Sequence, residues 1–160
     1  LLVDLVAMVK LSASIQAHHD LRGSNPATKP ATATAKPLTF HKLHNLEKVG
    51  KVVKVTLTGT VPPGEHLWIF VCQLKNCYVQ GAPSPEAPDV WYLPTVNFGS
   101  NLTSTVNRWY SMRAVLADSR ANRAIQAGYK LTHHGNKRLP GIPGGRGAKT
   151  VAQIALYRNH

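Results

Sequence analysis

Acidic residues are scarce in this 160-residue chain: seven Asp and Glu stand against nineteen Lys and Arg, and none follows Asp118. The carboxylates at Glu47, Glu65, Glu86, Asp89 and Asp118 are scattered, with no local pair whose pKa values would be driven apart for acid–base work. No serine sits in a GxSxG elbow, and neither cysteine belongs to a motif that puts a histidine beside it. The glycines of GIPGGRG lack the spacing and the Lys-Ser/Thr ending of a phosphate loop, and their composition fits a connection between strands. The chain is therefore read as not an enzyme and as needing no cofactor.

Cysteine is also rare. Cys72 and Cys77 are the only two, in VCQLKNCYVQ. A tight turn at Leu74–Asn76 would set them face to face across a hairpin, where they would bridge in an oxidising compartment; in a cytosolic protein they would be two reduced thiols. A four-ligand zinc site needs a second ligand pair that the chain does not offer. The eight histidines include His18–His19, HKLH at 41–44 and His133–His134. Adjacent histidines on a helix diverge, so these are read as surface groups that tune charge with pH, and no metal is expected.

What is present divides into three parts. Residues 1–22 are apolar for most of Leu1–Ile15 and free of Gly and Pro, which predicts a helix. Asp4 and Lys10 interrupt this stretch, and it lacks the basic start and small-residue cleavage site of a signal peptide. A helix that docks on a partner, lies at an interface or packs on the domain is preferred to the tail of a membrane anchor. Residues 23–38, with prolines at 26, 30 and 37 among Ala and Thr, predict an extended, semi-stiff linker.

Residues 39–160 switch to strand periodicity. Val53, Val55 and Leu57 alternate with Lys54, Thr56 and Thr58, and HLWIFVCQ is apolar enough for a central strand, with Trp68 on its inner face. VWYLPTVNFG is a further strand in which Pro94 predicts an edge or a bulge. RWYSMRAVLAD alternates again, and an outward Trp109 or Tyr92 near Arg108 and Arg113 could stack on a base or sugar. SRANRAIQAG, with its Ser start and Gly stop, predicts a helix of one to two turns before a closing strand, TVAQIALYR. The whole reads as mainly β: a β-sandwich of six or seven short strands.

The segments GTVPPGEHLWIFV, CYVQG, VWYLPTVNFG, YSMRAVLAD and LPGIPGG, followed by a last strand ending at Arg158, cover most of the final 120 residues. In this order they resemble the immunoglobulin-like β-sandwich module of actinobacterial and other bacterial multidomain proteins, which follows a Pro/Thr-rich linker. That resemblance implies an immunoglobulin-like fold and a non-catalytic accessory role beside membrane segments or signalling domains. With the helix and linker, it leads to the expectation of a structural or binding module at the cell surface or outside the cell. The module would be membrane-associated or docked through residues 1–22 on a membrane protein, a partner subunit or its own copies. The high positive charge departs from the family pattern. It supports a second expectation, a polyanion or nucleic-acid binder using Arg120, Arg123, Lys130, Lys137, Arg138, Arg146 and Lys149, with an anionic polymer or membrane surface as partner; a merely solvated basic surface is the alternative.

Overall fold

The computed structural model describes residues 34–100, 103–135 and 141–160, so residues 1–22 and most of the 23–38 stretch lie outside the described residues, as do Lys137 and Arg138. Nine strands and one α-helix follow in the order β1 (Thr39–His41), β2 (Glu47–Val49), β3 (Val52–Thr58), β4 (His66–Gln73), β5 (Asn76–Gly81), β6 (Ser84–Ala87), β7 (Val90–Asn97), β8 (Arg108–Ala117), α1 (Ser119–Gly135) and β9 (Ala148–Arg158). They form a four-stranded sheet, β1-β3-β7-β6, and a five-stranded sheet, β2-β9-β8-β4-β5. The described residues are thus mainly β, with two sheets and one α-helix, an arrangement consistent with a β-sandwich.

Alternation along the strands builds the core. Val55, Leu57 and Val96 of the four-stranded sheet meet Leu67, Ile69, Val71, Met112 and Leu156 of the five-stranded sheet in one buried cluster. Burying each such side chain contributes roughly 1.5–3 kcal/mol relative to leaving it in water. Chain continuity ties the sheets together where β2 passes through Gly50 and Lys51 into β3, and the Phe98 amide donates to the Lys51 carbonyl at 2.8 Å.

Pro94 lies in the middle of β7, a strand paired on both sides, which a proline could not occupy in a regular ladder. The pairing explains it: Val53 faces Val96 and Val55 faces Leu93, so β7 spends one extra residue at Pro94–Thr95 and the proline sits in a bulge.

Two expectations need correction. Trp68 is buried, but on the outer face of its sheet, in a second cluster with Phe70, Val115, Ala121 and Ile125, 6.0 Å from the Tyr129 ring. The strand is apolar on both faces because α1 covers the outer one. The helix itself is longer than one or two turns, running 17 residues from Ser119 to Gly135. Gly128 does not stop it. Ala121, Ile125 and Tyr129 place an i, i+4, i+8 stripe on the sheet, and that packing outweighs the ~1 kcal/mol helix cost of glycine.

The start of α1 is fixed by Asp118, whose Oδ1 accepts the Ala121 amide at 2.7 Å while its carbonyl accepts the Asn122 amide at 2.8 Å. Here the loop before β9 comes so close that a Cβ on Gly147 would stand 2.5 Å from the Asp118 Oδ2, and one on Gly144 would stand 2.6 Å from the Ala121 Cβ. Asn122, the buried polar residue of the helix, accepts the Trp68 Nε1–H at 2.8 Å.

Before β1 the chain is already part of the domain. The Lys36 ammonium bonds Asp89 Oδ2 at 3.0 Å, the Thr60 amide donates to the Lys36 carbonyl at 3.0 Å, and Leu38 is buried in the core.

Candidate binding surface

The two ends of the two-sheet domain differ in chemistry. At one end lie the β3–β4 connection, the β6–β7 turn and the start of α1, and with them Glu65, Glu86, Asp89 and Asp118. At the other lie the β4–β5 hairpin tip, the start of β8, the end of β9 and the β2–β3 crossing. Glu47 is the carboxylate nearest to that second end, and it accepts the His44 amide at 2.9 Å.

Four large apolar side chains among the described residues are exposed: Leu46, Val52, Leu74 and Trp109. Three of them, Val52, Leu74 and Trp109, belong to this carboxylate-poor end. Pairing brings Leu74 and Trp109, though not Val52 of the other sheet, into a row across the outer face of the five-stranded sheet. Lys48 stands opposite Tyr157, and Tyr157 opposite Trp109, with the two rings 5.0 Å apart and tilted by 57°. Carried on from the Cys72–Ser111 pair, the β4–β8 register puts Leu74 level with Trp109 one strand further along. On this face α1 shelters the β4–β5 side and leaves the Trp109–Tyr157 side open.

Trp109 is 51% exposed, and Arg113, on the same face of β8, donates from Nε to the Ser111 Oγ at 3.2 Å. Arg108 donates to the Ser104 carbonyl at 3.4 Å. Tyr92 points from the outer face of the other sheet, opposite Thr56 and Ser84, and does not join this row.

The hairpin tip is unusual. Gln73 pairs with Asn76, so Leu74 and Lys75 alone make the turn; Leu74 is 94% exposed and holds φ of 54°. An aliphatic residue rarely adopts this left-handed conformation, which asparagine and glycine tolerate far better. Immediately behind the tip, the facing residues Cys72 and Cys77 are joined by a disulfide, which ties the two strands together at the base of the turn.

Beneath this end lies an unusual buried cation. Arg158 is 3% exposed, and its Nη1 donates to the Phe98 carbonyl at 2.7 Å, the Ser100 carbonyl at 2.8 Å and the Thr105 Oγ1 at 2.7 Å; its Nε donates to the His160 carbonyl at 3.0 Å. Tyr110 closes the cluster, donating its hydroxyl to the Thr105 carbonyl at 2.9 Å and meeting Phe98 edge-on at 5.7 Å. Burial pushes the Tyr110 phenol above its ordinary value of 10.0, partly countered by the Arg158 charge.

Among the described residues, the basic residues singled out in the last third do not form one cluster. Arg120 and Arg146 line a cleft of about 610 Å³ with Gly144, Gly145 and Gly147, at the opposite end from Trp109, and the Asp118 carboxylate lies in the same cleft. Arg123 and Lys130 are exposed on α1, Lys149 is exposed at the start of β9, and Arg158 is buried. A smaller cleft of about 270 Å³, lined by His66, Trp68, Trp91 and Asn122, also belongs to that end. Among the described residues no three His, Cys, Asp or Glu side chains converge as metal ligands. No described helix is long and apolar enough to cross a membrane.

Alternation along β8 was enough to place Trp109 outward. Leu74 was missed, because the signal is a residue at an improbable φ and not a motif. No known protein family matches the chain, and neither a curated protein nor a solved structure shows significant similarity to it.

Proposed function

We propose that the protein is a non-catalytic accessory module: an immunoglobulin-like sandwich, carried on the 23–38 linker, that binds a partner with its Leu74–Trp109 end while residues 1–22 dock on a membrane protein, a partner subunit or another copy. The observation that carries this reading is the row of Leu74, Trp109 and Tyr157 across the outer face of the five-stranded sheet, with Val52 also exposed at this end, the one with the fewest carboxylates. Soluble domains rarely leave such groups together in water without a binding role. Three of the five carboxylates among the described residues are engaged otherwise: Asp118 caps α1, Asp89 holds Lys36 and Thr60, and Glu47 takes a backbone amide. A cell-surface or extracellular setting accords with the Cys72–Cys77 disulfide.

Sedimentation of the full chain and of a chain lacking residues 1–22 tests the docking role. The full chain is expected to associate and the shortened one to stay monomeric; identical behaviour refutes that role.

A second reading, polyanion binding by Arg120, Arg123, Lys130, Arg146 and Lys149, draws on the pairing of Arg120 and Arg146 in one cleft. Asp118 in that cleft works against an anion, which favours the first reading. Binding to heparin or DNA that falls linearly in log–log form with salt, and weakens on Arg120→Ala and Arg146→Ala, would favour the second.

A further inference from the structure

We infer that the Leu74–Trp109 end is a docking surface for an anionic phospholipid bilayer, a conclusion that rests on reading this end as the binding surface. Three separate features fit one occupant. The first is Leu74, an aliphatic side chain held almost wholly in water at the point of a two-residue turn. The disulfide behind that turn lets the tip enter an apolar phase without first ordering its strands.

The second is the Trp109–Tyr157 pair set back along the same row. Rings with an apolar body and a polar N–H or O–H settle at the boundary between headgroups and acyl chains.

The third is a set of cations at neighbouring positions: Lys75 follows Leu74 in the turn, Lys48 stands opposite Tyr157, and Arg108 precedes Trp109 in β8. Long basic side chains reach headgroup phosphates while their stems lie along apolar surface. A single-stranded nucleic acid would use the rings and the cations, but it offers nothing to a projecting Leu74. A bilayer uses all three, and the cations Lys48, Lys75 and Arg108, with Glu47 as the nearest carboxylate, complement a negative surface at this end.

The test uses the full 160-residue chain with vesicles of phosphatidylcholine alone and of phosphatidylcholine mixed with phosphatidylserine. Co-sedimentation with the mixed vesicles, weak or absent with the neutral ones, is expected, with a blue shift of tryptophan emission that the Trp109→Phe variant loses. Leu74→Glu is expected to weaken binding about tenfold or more, and Lys75→Glu about fivefold or more, the latter in a salt-dependent way. Both sites are exposed, so neither variant should lower the melting temperature, which is measured alongside.

Equal vesicle binding by Leu74→Glu and wild type overturns the inference and points to residues 1–22 as the lipid contact; an emission shift that survives Trp109→Phe also overturns it, because the signal then comes from Trp68 or Trp91. Failure to bind vesicles while a single-stranded oligonucleotide binds in a Trp109-dependent way also overturns it, but keeps this end as the binding surface. Binding of neither ligand removes the lipid assignment, and the sedimentation comparison above then judges the docking role of residues 1–22 independently.

Discussion

Replacing Arg158 by methionine keeps most of the side-chain volume and removes every donor. The wild-type guanidinium serves the Phe98 and Ser100 carbonyls, the Thr105 hydroxyl and the His160 carbonyl, drawing Phe98, Ser100 and Thr105 onto β9. The Phe98 bond is the buried one, and a buried acceptor left without its donor costs about 1–3 kcal/mol. Ser100 and the Thr105 hydroxyl are less enclosed and can turn to water, so together they add about 1 kcal/mol. Against this stands relief from holding a buried positive charge with no carboxylate among the partners just named, which returns part of the loss. The net expectation is a destabilisation of about 1–3 kcal/mol, which for a domain of this size lowers the melting temperature by roughly 5–10 °C. Urea unfolding followed by circular dichroism should show a lower midpoint with an unchanged m-value. Arg158→Lys, with one ammonium in place of a planar fork, should recover less than half of the deficit. A methionine variant within about 0.5 kcal/mol of wild type would refute the assignment of Arg158 as the clasp of this end.

Leu74→Gly should raise stability by about 1 kcal/mol, because the turn keeps its shape and the left-handed strain disappears, while vesicle binding falls; thermal melts and co-sedimentation on one sample check both. Asn122→Ala leaves the buried Trp68 N–H without its acceptor and should cost about 1–3 kcal/mol in chemical denaturation, with no effect on vesicle binding. Because the Tyr110 phenol is held above 10.0, the folded state keeps its proton longer than the unfolded chain does. Its contribution is complete below pH 10 and is lost as pH rises further, so Tyr110→Phe should flatten the alkaline fall in stability.

Much of the domain could be read from alternation alone, since Val53–Thr58, HLWIFVCQ and RWYSMRAVLAD carry the period of strands and the structure places β3, β4 and β8 there. What could not be read depends on long-range packing. Trp68 looks the same in sequence whether it faces the second sheet or a helix, and α1 passes Gly128 only because Trp68, Phe70 and Val115 are there to receive it. The candidate surface was half legible: Trp109 follows from β8 alternation, whereas its alignment with Tyr157 and Lys48 needs strands more than 45 residues apart to pair in one register. Leu74 escaped because ordinary turn chemistry calls for glycine or asparagine at such a position.

The chain joins the domain through Lys36, clamped to Asp89 and Thr60, at the end farthest from Leu74 and Trp109. The two points are therefore set apart by strands of up to 11 residues, roughly 35 Å. Under the proposed reading the strands themselves fix a standoff: whatever Leu74 and Trp109 touch is held about one strand length from the point where the chain enters at Lys36.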